Sequence, residues 1–590
     1  MLKRFFSVLL LLVAINAAIA QVPAGTALLS NGITDFIFYG PEPANSLVEE
    51  VSVAGQPFSR ALRINTFNKK GNGECGLKAD VKLPLHKGDV LWISFSARSL
   101  ESKRETGESL IELRFDQLVN GKYTWPSHLE RGISIGANWT ETSIPFVLKK
   151  DAKPEDVKLI IKFDTYAQNL ELGPVTFINC GQNIQLTDLP KSTVHYNGDS
   201  PDASWRKAAA EGIEKYRKGN LSIKVVDERG NPVTGASVSV NLKKSAYAWG
   251  TAANSTILLD TVNPDYKKYR DTLLTYFNKV VFENELKSKN WATANHAQTI
   301  QAANWLRANN LDIRGHVMVW PSWQHSPHLL KFKKDTAALR AEILKIIADE
   351  TTVMKGQFTE WDVINEPFVH HNIIDSLGGK KVMVDWFTAA KKNTQGVKLF
   401  LNEYTMFHAQ GKGSEDFFNN IQFLVDNGAP IEGIGEQSHI GGTPPGIDFL
   451  IEKLNHFSKF GLPVQISEFD ITSDDEDFKA NYLRDYFTAI FSHPSTIGIL
   501  QWGFWEGSHW MPAAALWDKK WNIRPSGKMF TELVSKTWST HVNGNTSSNG
   551  LFQIRGFNGE YEITATKNGK STIQKCRLDS NGKNITVQLK

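Results

Sequence analysis

Hydrophobic and polar positions follow three different patterns along this chain, and each predicts a different architecture. From about residue 22 to 182, apolar residues recur at every second position in short runs. Examples are "DVLWISFSAR" (89–98), "SLIELRFDQL" (109–118), "TETSIPFVL" (140–148) and "VKLIIKFDT" (157–165), broken by Gly, Asn and Pro. Such runs bury one face of a strand and wet the other, which predicts an all-β sandwich over 21–185. A polar linker and a short helical pattern, "SWRKAAAEGIEKYRK", fill 186–220.

The second pattern is split. "LSIKVVDERGNPVTGASVSVNLKK" (221–244) is two strands around a Gly-Asn-Pro turn, and the tail offers "GLFQIRGF", "GEYEITATKNGKSTIQKCRL" and "NITVQL". Neither fragment closes a core, because a lone hairpin is marginal in water. We expect 221–245 and 536–590 to be two halves of one small β-sandwich with everything between them inserted. The alternative is two independent appendages.

The inserted segment, 246–535, carries the third pattern. Apolar strand-like runs recur every 30 to 50 residues: "AYAWGTAAN", "KVVFENE", "LDIRGHVMVW", "FTEWDVINE", "VKLFLNEY", "IEGIGEQSHI", "LPVQISEFDI" and "TIGILQWGFW". Between them lie helical patterns such as "AALRAEILKIIADETTVMKG". Eight strands alternating with helices predict an α/β fold of the (β/α)8 TIM-barrel kind.

Composition narrows this picture only a little. At 590 residues the chain exceeds one ordinary core. With 66 basic against 62 acidic residues, a net charge of +4 gives no electrostatic case for nucleic acid. The 17 Trp suit either stacking on flat ligand faces or a large core. The start, "MLKRFFSVLLLLVAINAAIAQ", has a basic n-region, an apolar h-region and a small-x-small site at Ala18–Ala20. It reads as a signal peptide over 1–20, which predicts a secreted protein (extracellular, periplasmic or cell-surface associated) without a membrane anchor. We also expect a monomer. Three cysteines make neither a disulfide framework nor a zinc site. Cys75 and Cys180 could pair in an oxidising compartment, leaving Cys576 over.

Catalytic groups of such barrels sit at the C-terminal strand ends. Here those ends carry Glu283-Asn284, His316, Asn365-Glu366, Asn402-Glu403, Gln437 with His439, Glu468 and Trp502. No His/Cys/Asp grouping has metal-ligand spacing and no Gly-rich loop cradles phosphate, so neither metal nor cofactor is expected. Ser438 and His439 are adjacent and cannot form a dyad with each other. Glu366 ends the fourth strand and Glu468 the seventh, so the two would face each other across the barrel mouth. Two opposed carboxylates in different surroundings are what glycosidic bond cleavage needs, one protonated to donate and one ionised to attack. Asn365 could bond a sugar 2-hydroxyl, and His439 could hold Glu468 charged.

These motifs, in this order, resemble the retaining β-glycanases of glycoside hydrolase family 10, chiefly endo-β-1,4-xylanases, over about 246 to 530. By that resemblance "FENELK" implies that Glu283, Asn284 and Lys287 grip a sugar, and "RGHVMVW" that His316 and Trp320 line glycone subsites. "WDVINEP" makes Glu366 the acid/base with Asn365 beside it, and "ISEFDI" makes Glu468 the nucleophile. "LNEY" places Tyr404 in the site, with Glu403 where the family usually has Asp. "GIGEQSHI" implies contacts from Gln437 and His439, and "QWGFWEGSHW" implies walls from Trp502 and Trp510.

Two departures stand out. "WPSWQ" (320–324) puts Pro321 where the family usually has His and displaces Trp323 and Gln324, and "GFWEGSHWMPAAALW" resembles the plant-like branch. Neither touches Glu366 or Glu468. The N-terminal sandwich loosely resembles carbohydrate-binding modules, with Tyr123, Trp125 and Trp139 as candidate stacking residues. The expected function is a secreted endo-β-1,4-xylanase acting with retention on xylan or a related plant cell-wall polysaccharide. The alternatives are the same chemistry on another β-1,4-glycan and a non-catalytic glycan-binding or tethering protein.

Overall fold

The structure, a computed structural model, describes residues 22–590 apart from 41–45, 68–74, 103–108, 120–121, 124–126, 137, 165–166, 193–194, 293–295, 369, 408–411, 442–443 and 474. The expected signal peptide and Trp125 lie outside the described residues. Among the described residues no helix is long and apolar enough to cross a membrane. The chain forms two compact units, the second holding residues 194–590.

The first unit is two antiparallel sheets. One runs Thr140–Val147, Val90–Ser102, Gln168–Asn179, Arg60–Thr66 and Ser46–Ser52; the other runs Ile37–Tyr39, Gly76–Asp80, Val157–Lys162, Ser109–Val119 and Lys122–Tyr123. Phe115 of the second sheet meets Phe146 and Phe177 of the first, with centroids 5.9 and 5.3 Å apart, so the alternating apolar faces close on each other as a sandwich. Tyr123 is 55% exposed. Trp139 is packed edge-on against Phe58 at 5.0 Å, with the Arg98 guanidinium 5.1 Å from its ring. No disulfide joins Cys75 and Cys180: Cys75 is buried, and its N–H donates to the Asp164 carboxylate at 2.9 Å.

In the second unit Lys218–Val226 lies between Leu551–Phe557 and Lys583–Gln588, and Ser237–Ser245 lies between His541–Asn545 and Gly559–Lys567. The first half therefore supplies a central strand to each of two sheets, and the second half supplies their flanks. Leu221, Ile223, Val225, Val238, Val240, Ile563 and Ala565 are all buried there. The segment before it holds the helix Ser204–Tyr216. Tyr196 Oη donates to Asp485 at 2.8 Å, and Arg206 on helix Ser204–Tyr216 binds the same carboxylate through both terminal nitrogens.

The barrel strands are β1 Ala248–Ala253, β2 Lys279–Phe282, β3 Asp312–Gly315, β4 Glu360–Asn365, β5 Lys398–Glu403, β6 Gly433–Glu436, β7 Val464–Ile471 and β8 Thr496–Gln501. All pair in parallel with their sequence neighbours, and β8 returns to β1 to close the ring. Strands covered on both sides cannot alternate, and every residue of "EWDVIN" and "VQISEFDI" is buried. Two of the outer helices start on aspartate caps: Asp335 accepts the Ala338 N–H at 2.9 Å, and Asp475 that of Phe478 at 3.1 Å.

Polar residues inside the ring form a closed ion network. Arg314 on β3 binds Asp362 and Glu360 on β4, Lys279 on β2 binds Glu360 at 2.8 Å, and His316 Nδ1 lies 3.0 Å from Asp362. Two cations offset two anions, which makes full burial tolerable.

Candidate active site

The C-terminal strand ends converge on one groove. Glu366 leaves β4 with φ of 54°, in the left-handed region, which turns its side chain away from the strand direction. Its Oε1 accepts from Asn365 Nδ2 at 3.1 Å and from Gln437 Nε2, beyond β6, at 2.8 Å. Its Oε2 faces His370 Nε2 at 3.4 Å. Glu468, in β7, accepts from Asn402 Nδ2 at 2.8 Å through Oε1 and faces His439 Nε2 at 3.4 Å through Oε2. His316 Nδ1 lies 3.9 Å from the same carboxylate.

Asn402, on β5, is the hub. Its Nδ2 donates both to Glu468 and to Asn365 Oδ1 at 2.8 Å, and its Oδ1 accepts from the Ser467 hydroxyl at 2.7 Å. One amide thus links the carboxylate of β7 to the amide that binds the carboxylate of β4. Room for it exists because β6 has a glycine at this level: a Cβ on Gly435 would overlap Asn402 Oδ1.

The two carboxylates are pushed in opposite directions. Burial raises the Glu366 carboxyl above its ordinary range, and the nearby Glu468 charge adds to that against the bonds from Gln437 and Asn365. Burial would also raise Glu468, but His316, His439 and Lys287 outweigh it and hold that carboxyl below its ordinary range. Burial opposes charge on His439 too. Asp470, 3.1 Å from its Nδ1, and Glu468 nonetheless push it up to about 10, so it is an imidazolium at neutral pH.

The remaining sequence-named residues surround this pair. Lys287 Nζ donates to Asn284 Oδ1 at 3.0 Å and lies 5.6 Å from the Trp320 ring. Burial lowers the Lys287 ammonium and raises Glu283, which Lys287 pulls back. Trp502 is buried edge-on to His316 at 5.2 Å, whereas Trp510 is half exposed, packs on His439 at 4.9 Å and donates Nε1–H to Asp470 at 2.7 Å. Tyr404 is half-buried, its hydroxyl pushed up to about 12 by burial and by Glu403 and Glu366. Asn365 Oδ1 is occupied by Asn402 and Gln437, which leaves only an amide hydrogen for a sugar hydroxyl. Among the described residues no group of three or more His, Cys, Asp or Glu is placed to hold a metal ion.

Glu403, the strand-end residue where the family usually has Asp, does not face the groove. It is fully buried and accepts the N–H groups of Phe368 and Tyr404, each at 3.0 Å. It therefore pins the turn after Glu366 to the end of β5. In the "WPSWQ" departure Gln324 is exposed, and His325 instead stacks on Trp320 with centroids 3.9 Å apart. Sequence reasoning gave no role to Asn402, His370 or Asp470. The alternation Glu468-Phe469-Asp470 put Asp470 on the same face of β7 as the nucleophile candidate, and that was its available signal.

A closed parallel barrel with two carboxylates in contrasting surroundings at its C-terminal mouth is the arrangement that glycosidic-bond chemistry calls for. Residues 238–532, half of the chain, match Glycosyl hydrolase family 10, and the chain belongs to that family. It is 32% identical over 381 residues to "Anti-sigma-I factor RsgI6" of Acetivibrio thermocellus, covering 63% of this chain and 48% of that protein. It is 28% identical over 368 residues to "Endo-1,4-beta-xylanase 1" of Arabidopsis thaliana, covering 61% and 38%. The chain thus spans about half or less of the length of these relatives. Among solved structures, xylanase 10B from Thermotoga petrophila RKU-1 in complex with xylobiose aligns at a TM-score of 0.45 and 23% identity, over 50% of this chain and 95% of that one.

Proposed function

We propose that the protein is a secreted endo-β-1,4-xylanase that hydrolyses xylan with retention of configuration. The observation that carries this reading is the opposed tuning of Glu366 and Glu468 within one hydrogen-bonded chain through Asn365 and Asn402. Glu366, whose carboxyl burial raises and which is therefore the better proton holder of the two, gives its proton to the glycosidic oxygen as that bond breaks. Glu468, kept ionised by His439, His316 and Lys287, forms the bond to the anomeric carbon. In the second half Glu366, now a carboxylate, takes a proton from water, which displaces Glu468 and restores both groups. Lys287, Asn284, Trp320 and the half-exposed Trp510 are placed around the same groove and suit polar and stacking contacts with a sugar chain. The family and the xylanase relatives support xylan as substrate; we propose further that the enzyme acts as a monomer outside the cytoplasm.

The test is hydrolysis of an aryl β-xylobioside by the wild type, Glu366→Ala and Glu468→Ala, with azide rescue. A β-glycosyl azide from Glu366→Ala and an α-azide from Glu468→Ala are expected. The same anomer from both would refute the assignment, and release of xylose alone from polymer ends would refute the endo mode. Wild-type turnover lost in Glu468→Ala would exclude a purely glycan-binding or tethering protein.

A further inference from the structure

The two oxygens of Glu366 have different neighbours, and the difference involves a residue outside the paired carboxylates. Oε1 accepts two amide hydrogens, from Asn365 and Gln437, so the acid's proton belongs on Oε2. Oε2 faces His370 Nε2 at 3.4 Å. The same turn holds this ring, since the His370 N–H donates to the Glu366 carbonyl at 3.0 Å. From the other side His325 meets His370 edge-to-face at 4.6 Å and 81°, and His325 itself lies flat on Trp320. Trp320 adds a second edge contact to His370 at 6.1 Å. The imidazole is wedged against the carboxyl yet keeps 22% of its side chain exposed to water.

We propose that His370 is a positioning residue for the acid/base, its imidazole and Glu366 Oε2 forming two seats for one proton. This rests on the reading of Glu366 as the general acid. A proton with two seats is held more tightly than at either alone, so the pair keeps the acid loaded to a higher pH than a lone carboxyl would. The proton leaves Oε2 for the glycosidic oxygen when that bond breaks and returns from water when the second bond breaks; Nε2 is its alternate seat, and nothing is oxidised or reduced. The groups facing His370 allow this. Burial and the adjacent His371 push it below the ordinary histidine range, so it is neutral and able to accept. Burial, with His370, Lys289 and Lys287 beyond it, pushes His325 down to about 4, so His325 brings no opposing charge.

The experiment compares His370→Phe, which keeps a ring without nitrogen, and His370→Gln, which keeps a polar group without a second seat. Each is assayed on an unactivated xylo-oligosaccharide and on a dinitrophenyl β-xylobioside, whose leaving group needs no proton. For both variants kcat/KM on the oligosaccharide is expected to fall about tenfold near neutral pH with the alkaline limb moved to lower pH, while the dinitrophenyl substrate stays within about twofold. Equal losses on both substrates, or an alkaline limb that does not move in either variant, would overturn the proposal. Glu366→Ala run beside them separates the two readings. If it spares the dinitrophenyl substrate and the His370 variants behave like wild type, only the His370 proposal fails. If it shows no leaving-group dependence, the acid assignment itself fails.

Discussion

Replacing Asn402 by Ala removes the one amide that touches the nucleophile candidate and the network of the acid at once. Glu468 Oε1 loses its 2.8 Å donor, Asn365 Oδ1 keeps only Gln437, and the Ser467 hydroxyl loses its acceptor. A hydrogen bond to a charged group is worth about 1.5–3 kcal/mol, and the lost donor favoured the ionised carboxylate. At about 1.4 kcal/mol per tenfold, kcat/KM should fall by roughly tenfold to a hundredfold. The sign of the pH effect is fixed by the same bond. Glu468 is held below its ordinary range, so losing a donor raises it, and the acid limb of kcat/KM moves to higher pH. Measuring kcat/KM on a nitrophenyl β-xylobioside across both limbs reads both effects. Asn402→Asp sharpens the test, because it fills the space but sets a second carboxylate against Glu468. We expect Asp to be worse than Ala, with a larger shift of the acid limb. Wild-type kcat/KM in Asn402→Ala, or Asp performing better than Ala, would show that Asn402 fills space and nothing more.

Three further outcomes follow from buried residues of the strands and of one outer helix. Arg314→Met should destabilise by about 3–5 kcal/mol in denaturant unfolding, since it leaves Glu360 buried with Lys279 and Asp362 buried with only His316 beside it. Glu350, fully buried on helix Thr336–Val353, is raised well above its ordinary range by burial and by Asp349. A carboxyl raised in the folded state stabilises less as pH climbs from its unfolded value near 4.5. Glu350→Met should therefore raise the Tm at neutral pH and flatten the decline that sets in above pH 4.5; a lower Tm at neutral pH would refute this. Gly435→Ala should lower kcat/KM by displacing Asn402 while leaving folding cooperative, and wild-type activity in that variant would count against Asn402 as the hub.

What the sequence revealed follows from what periodicity encodes. Eight apolar runs with helical patterns between them were enough for the barrel, because the runs are largely buried, the fourth and seventh along their whole length. Strand-end polarity was enough to single out Glu366 and Glu468 as candidates, since a polar residue closing an apolar run stands out. The hub did not stand out. Asn402 and Glu403 read alike as polar strand-end residues, yet one bonds the nucleophile candidate and the other pins a backbone turn. Adjacent residues of a strand point to opposite faces, and two polar residues in a row do not record which of them faces Glu468. His370 was invisible for a related reason. It reaches Glu366 only because the left-handed turn at Glu366 folds the chain back on itself.

The division of labour between two chemically identical side chains comes from where cations are allowed to stand. Around Glu468 stand the His439 imidazolium and Lys287, with His316 3.9 Å away, and Asp470 fixes the charge on His439. The groups that touch Glu366 are the amides of Asn365 and Gln437 and the His370 ring. The next carboxyls below it, Glu403 and Glu436, are pushed by burial up to about 8 and so bring no negative charge at neutral pH. Were Glu403 ionised there, it would add repulsion to Glu366 and make the acid harder to discharge. Because it is neutral, it can hold the Phe368 and Tyr404 N–H groups and fix the turn without disturbing the proton above it. The asymmetry therefore belongs to the barrel's interior layers rather than to either glutamate, and exchanging the neighbours would exchange the roles.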